Sequence, residues 1–315
     1  MAFPDDSVRT RQTNRGGSLV VGETVAVELT RHHGLGNDFL ITFAEDVPDD
    51  GADLARRLCD RVDGIGADGL VFGTPVGTAA SQADAGSWAF TLFNSDGSSA
   101  EVSGNGLGCF GQALLRRQAV GSTGLEVVVE TPAGDRRITM DGSSTDLEVE
   151  AEVEMGAATP GPSIEGIQIE LGGVHVGAVH SIDFGNPHLV LLVDDPDEVD
   201  LAVAGPATES FFAPTGCNVH LVSVVDRSTV RMRTWERGAG LTMACGSGAC
   251  AAAHVLHGCG LVGGVVEVRM PGGAATVTVG DTVRLAVTAT FVDSHWVDPG
   301  ADHVEVSGRG ARGNG

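Results

Sequence analysis

The chain carries two versions of the same short segment, and that duplication restricts its architecture more than any other feature. Ser103-Gly104-Asn105-Gly106 opens the run SGNGLGCFGQALL, and Cys245-Gly246-Ser247-Gly248 opens CGSGACAAAHVLH. In both, a small hydroxyl or thiol residue leads a Gly-x-Gly turn into an apolar helical stretch. A second pair of landmarks precedes them in the same order. Gly36-Asn37-Asp38-Phe39-Leu40-Ile41 and Gly185-Asn186-Pro187-His188-Leu189-Val190 both put Gly-Asn before an apolar strand. Two matched landmarks in register imply two pseudo-symmetric lobes with a cleft between them.

The remaining pattern indicates what each lobe is made of. Short alternating runs read as strands: 25–30, 88–93, 124–130, 167–171, 188–193, 222–226, 229–235 and 265–270. Hairpin turns are expected at 271–273 and 280–281. Helical pattern is confined to an amphipathic 53–61 and the two runs after the Gly-rich turns, which are apolar all round and therefore expected to be buried. The fold class that follows is α+β, with two lobes that are each a mostly antiparallel sheet wrapped around a central helix. Expected boundaries are a disordered extension over 1–24, an N-terminal lobe over 25–148 completed by a returning segment near 286–297, a C-terminal lobe over 149–285, and a flexible tail over 309–315.

A Gly-rich turn entering a helix leaves backbone N–H groups aimed at whatever anion sits there. The leading side chain lies beside the positive end of the helix, which favours thiolate over thiol. Cys245 is therefore expected to be an activated thiol, while Cys59, Cys109, Cys217, Cys250 and Cys259 read as reduced, buried small hydrophobes. No CxxC pair and no Cys/His spacing typical of zinc occurs. The acidic run Asp194–Glu198 reads as a solvated loop or helix start, and Asp96-Gly97 as a turn that positions Asn94.

Composition narrows the chemistry further. All 19 basic residues are Arg, so no lysine Schiff base to pyridoxal phosphate or to a carbonyl substrate can form, and no P-loop lysine exists. A net charge of −23 disfavours nucleic acid or an anionic membrane as partner. No apolar run approaches the roughly 20 residues of a membrane span, and the polar first residues do not resemble a signal peptide. A cytoplasmic protein with no cofactor and no metal is the expectation.

Read in order, Asn94-Ser95-Asp96-Gly97-Ser98, Ser103–Gly106, Gly185–His188, Glu236-Arg237-Gly238 and Cys245–Cys250 resemble the diaminopimelate epimerase family. His33–Phe39 and Gly64–Gly69 match it as well, so the resemblance runs from about residue 27 to 295. It implies cofactor-independent conversion of LL-2,6-diaminopimelate to the meso form in lysine and peptidoglycan-precursor synthesis, and a homodimer. In that family one cysteine removes the α-proton while another delivers a proton to the opposite face. Carried over by position, Cys245 is one acid/base, and His188 and Glu236 tune the thiols. Asn37, Asn94, Asn186, Asn218, Glu236 and Arg237 belong to the substrate pocket, with Arg237 on the distal carboxylate and Asn side chains and Glu236 on the distal ammonium. Backbone donors at Gly104, Asn105, Gly246 and Ser247 would hold the α-carboxylate. The chain departs from the family at Ser103, which stands where the first catalytic cysteine is expected. An alcohol is a much weaker acid than a thiol. Two other readings thus stay open: a one-thiol racemase or dehydratase of the same fold, and a weakly active amino-acid binder.

Overall fold

The structure, a computed structural model, describes residues 18–21, 24–77, 87–298 and 307–308. Most of the expected extension over 1–24 and the whole tail over 309–315 lie outside the described residues. Within the extension, Ser18–Val21 is a strand paired antiparallel with Thr24–Val27.

In the first repeat, strands Thr24–Gly34, Asn37–Phe43, Gly69–Val76, Ser87–Asn94, Thr123–Glu130, Arg136–Ser143 and Glu148–Gly156 pair in that order. The long strand Val283–Val297 closes the ring. Its first half pairs with Glu148–Gly156, and its second half returns to Thr24–Gly34. The second repeat copies the sequence of pairings: Val176–Asp183, Pro187–Val193, Asn218–Asp226, Thr229–Glu236, Val265–Met270, Gly273–Thr278 and Val283–Val297. Here the chain leaving Glu148–Gly156 enters Thr159–Pro160, which pairs with Val176–Asp183. Each repeat therefore lends its last strand to the other, and the two sheets share one seam.

The parallel steps fall at the same places in both halves, and each is bridged by a helix, as parallel pairing requires. Helix α1 (Gly51–Leu58) links Asn37–Phe43 to Gly69–Val76, and α3 (Leu201–Glu209) links Pro187–Val193 to Asn218–Asp226. The central helices are α2 (Gly104–Arg117) and α4 (Gly246–Gly258). Every residue of α2 from Gly104 to Leu115 is buried, as are Gly246–Ala253 of α4. Their apolar circumference is explained by a sheet on all sides.

Two sequence expectations fail locally. Residues 167–171 form no strand; Ile167, Ile169 and Leu171 instead pack on the outer cluster of the second repeat, against Leu189, Leu191 and Phe212. Alternating apolar residues serve that covering role without a neighbouring strand to pair with. Helix α3 carries no amphipathic pattern and has Pro206 inside it, so its sequence gives little helical signal. The apolar alternation elsewhere is faithfully used.

The halves are locked by reciprocal contacts between turns. Leu35 (φ 53°) and Gly36 (φ 85°) make a two-residue hairpin turn with left-handed backbone at both positions, the shape that suits a twisted hairpin. This turn rests on Gly272 of the other repeat, where any Cβ would run into the Leu35 carbonyl. Symmetrically, Gly185 (φ 100°) rests against Ala133 in the turn of the first repeat. Replacing Gly272 by Ala should therefore cost about 1–3 kcal/mol, because backbone rather than a flexible side chain must give way. The control is Gly258→Ala, which meets nothing within 4 Å and should be neutral or stabilise by up to about 1 kcal/mol. Urea midpoints of the two variants test the difference.

Candidate active site

Ser103 and Cys245 are the N-caps of α2 and α4. Their backbones are nearly superimposable in angle, φ −140° and ψ 115° against φ −132° and ψ 110°. Ser103 Oγ accepts the Gly106 N–H at 3.1 Å, and Cys245 Sγ accepts the Gly248 N–H at 3.3 Å. The first turns of the helices abut. A Cβ at Gly104 would stand 3.4 Å from Gly246 Cα, and one at Gly246 would stand 2.8 Å from Asn105 Oδ1. The buried side chain of Leu285 lies under both glycines, so neither position tolerates a side chain.

A cavity of about 590 Å³ opens over this junction. It is lined by Ser103, Gly104, Asn105, Cys245, Gly246 and Ser247 from the helix starts, and by Asn37, Asn94, Asn186, Asn218, Glu236 and Arg237 from the strand ends. All the residues singled out from sequence are thus brought to one place except His188, which is fully buried behind the wall. The Oδ1 atoms of Asn37 and Asn105 are buried without a hydrogen-bond partner. Buried acceptors of this kind cost free energy until a donor arrives.

The wall beside Cys245 is polar and continuous. His188 Nε2 lies 2.8 Å from Asn186 Oδ1, and His188 Nδ1 lies 2.8 Å from His220 Nε2. His220 Nδ1 in turn is 3.1 Å from Thr234 Oγ1. An amide oxygen only accepts, which fixes the direction of the chain: Thr234 O–H to His220 Nδ1, His220 Nε2–H to His188 Nδ1, and His188 Nε2–H to Asn186. Both rings are neutral in this arrangement. Burial lowers His220 to about 3, and burial together with His220 and Arg237 pushes His188 well below its usual range.

Cys245 departs from the expectation of a thiol activated by its helix. The helix N–H of Gly248 favours thiolate, but burial, followed by the neighbouring Glu236 carboxylate, raises the thiol well above its ordinary value of 9.0. Desolvation outweighs the partial charge of the helix terminus. Glu236 is itself raised by burial, and it accepts the Thr242 hydroxyl at 2.5 Å. Thiol and carboxylate act on one another's proton affinity, so Glu236 is the charged neighbour of the Cys245 thiol.

Arg237 spans the cleft. Its Nη2 donates to Glu101 Oε2 at 2.6 Å, its Nη1 donates to the Thr215 carbonyl at 3.2 Å, and its backbone N–H is accepted by Asn218 Oδ1 at 3.0 Å. Asn218 also donates to the Pro187 carbonyl, so most of its polar capacity ties strands together. Glu101 and His220 were not singled out from sequence. The signal for Glu101 is its place two residues before Ser103. The signal for His220 is its position two residues beyond Asn218, on the same face of a strand.

The family model for diaminopimelate epimerase matches residues 29–160 and 180–290, in two stretches that follow the two repeats. The chain belongs to the diaminopimelate epimerase family. A diaminopimelate epimerase of Desulforudis audaxviator is 39% identical over 80% of this chain and 91% of its own length. One from Alkalilimnicola ehrlichii is 36% identical over 90% of this chain and 95% of its own. Among solved structures, a hydroxyproline epimerase of Agrobacterium vitis, with bound trans-4-hydroxy-L-proline, shares the fold. Its TM-score is 0.64 at 16% identity, covering 86% of this chain and 92% of that one. Among the described residues no helix is long and apolar enough to cross a membrane.

The ionisation of the Cys245 thiol can be probed directly. Alkylation by iodoacetamide, followed residue by residue by mass spectrometry, should be slow at neutral pH and rise with a midpoint above 9.0. Glu236→Gln removes a nearby negative charge and should move that midpoint down. Cys259, expected from sequence to be buried, is exposed because it caps the C-terminal end of α4, and it serves as the internal reference. A midpoint unmoved by the substitution would disconnect Glu236 from the thiol.

Proposed function

We propose that this protein epimerises LL-2,6-diaminopimelate to meso-2,6-diaminopimelate by proton transfer at one α-carbon, without a cofactor. The observation that carries this reading is the junction of two helix N-termini capped by Ser103 and Cys245 over one cavity. Backbone N–H groups of both helices converge where an α-carboxylate would sit, and they are positioned to hold the charge that develops when the α-proton leaves.

In the proposed step Cys245 gives its proton to Glu236 and, as thiolate held by the Gly248 N–H, removes the substrate α-proton. Ser103 returns a proton to the other face, either its own or one relayed from water. Its weak acidity makes this the slow half of the cycle. The unpartnered amide oxygens of Asn37 and Asn105 offer acceptors to the substrate's ammonium groups. At the far end the Arg237–Glu101 pair presents both signs of charge within 2.6 Å, which complements a second amino-acid group rather than a bare carboxylate. That supports a substrate with a zwitterion at each end over a simple amino acid. The wider setting we propose is lysine and peptidoglycan-precursor synthesis by a homodimer in the cytoplasm, without nucleic-acid or membrane partners.

Incubation with LL- and meso-diaminopimelate in D2O tests the reading. Inversion accompanied by α-deuterium uptake is the expected result. Exchange without inversion would mark a one-base enzyme of the same fold, and neither would remove this substrate from consideration. Ser103→Cys should raise turnover by about tenfold or more, within the range a well-matched acid/base group contributes. An unchanged or lower rate would show that the alcohol does not limit the reaction.

A further inference from the structure

The back wall of the cavity combines three side chains with a property that proton transfer alone does not require. His188, His220 and Cys245 each offer one ligand atom, and those atoms all lie within 4.8 Å of one another. All three residues are buried, yet Cys245 also lines the cavity, which gives an entry path from solvent. The hydrogen-bond directions leave a lone pair on His188 Nδ1 pointing at His220 Nε2 across 2.8 Å, with a single proton between them. That proton occupies the place where a cation would bind two imidazoles. The thiol sulfur is the third donor.

We infer that His188, His220 and Cys245 form a binding site for a borderline-soft divalent cation of the zinc class, and that occupancy of this site turns the enzyme off. Two imidazole nitrogens and one thiolate are a donor set such ions prefer, with bonds of about 2.0–2.3 Å. Ligand atoms on one tetrahedral ion stand roughly 3.5 Å apart, so the cluster reaches that spacing by movements of about 1 Å. The proton balance is simple. The thiol proton leaves to solvent, and the His220 proton moves from Nε2 to Nδ1, where it donates to the Thr234 hydroxyl oxygen instead of accepting from it. Three protein ligands leave a fourth position open toward the cavity, so metal and substrate compete for the same sulfur. The first repeat has no counterpart. Phe39 and Val71 stand at the strand positions of His188 and His220, and Ser103 stands at that of Cys245.

The test uses Co²⁺ as a coloured probe on full-length, metal-free protein. One equivalent should produce a thiolate-to-cobalt charge-transfer band and intense tetrahedral d–d bands, and Zn²⁺ should bleach them. Cys245→Ser keeps a capping oxygen on α4 and should abolish the charge-transfer band. His220→Gln should weaken binding tenfold or more. Cys259→Ser should leave the band intact, although that exposed thiol lies 3.7 Å from His180 Nε2. In turnover assays Zn²⁺ should inhibit in competition with diaminopimelate, with recovery on adding EDTA. Absence of a thiolate band, its persistence in Cys245→Ser, or unchanged affinity in His220→Gln would each overturn the assignment. Because the spectral measurement needs no turnover, its failure is distinguishable from failure of the epimerase reading.

Discussion

Two helix N-termini pressed together over a buried leucine are the constraint on which the rest of this molecule depends. Each terminus carries a partial positive charge and several unpaired N–H groups, and an anion bound at one such end is typically stabilised by about 0.3–1 kcal/mol, or up to ~2 kcal/mol when partly buried. Bringing two together without an anion is unfavourable, so the junction must be held by something else. Here the shared seam between Glu148–Gly156 and Val283–Val297 holds it, since Leu285 on that seam fills the space under Gly104 and Gly246. The exchange of last strands between repeats is therefore what fixes the geometry of the anion site. Glycine is required at both contacts because of close approach rather than unusual backbone angles.

The repeats agree in backbone and diverge in chemistry. Phe39 faces Gly69 across a parallel pair as His188 faces Asn218, and Asn94 ends its strand as Glu236 ends its own. One half thus surrounds its cap with histidines and a carboxylate, while the other offers an aromatic ring and an amide. Burial has different consequences on the two sides. Beside Cys245 it produces a neutral thiol next to a carboxylate whose own proton affinity burial has raised. Among the described residues no carboxylate is hydrogen-bonded to the Ser103 hydroxyl, whose oxygen accepts the Gly106 N–H.

Much of this was legible in the sequence because the informative features are local. Gly-x-Gly runs behind a Ser or Cys state their own role as helix caps, and the order of the landmarks states the duplication. The cavity lining was legible for the same reason, since its members sit at strand ends and helix starts within those motifs. What escaped depends on long-range placement. The covering segment around Ile167 alternates like a strand but has no strand to pair with. Helix α3 is defined by the crossover it must make, not by its composition. The state of Cys245 does not follow from the sequence, where the helix terminus is visible but the burial and the carboxylate that override it are not, since these arise only when Glu236 folds against it. His220 and Glu101 carry no motif of their own, and only tertiary packing sets one against His188 and the other against Arg237.

The unequal caps also bear on how the proton inventory of the site is managed. A thiol held neutral by burial is a competent donor as it stands and becomes a base only after Glu236 accepts its proton. A serine in the matching position is always protonated at neutral pH and has a backbone N–H, not a base, at its oxygen. Both caps are therefore donors in the resting site, and Cys245 has the Glu236 carboxylate beside it. Under the proposed mechanism both directions pass through the same Ser103 oxygen without its proton, because delivering the hydroxyl proton leaves an alkoxide and abstraction starts from one. Unless a water relays the proton, that alkoxide is held by the Gly106 N–H. The first repeat has a buried polar chain of its own, through Thr30, His32 and Gln112, but Phe39 and Val71 stand at the strand positions of His188 and His220, and under the proposed mechanism this difference, together with oxygen in place of sulfur, makes the two half-reactions unequal.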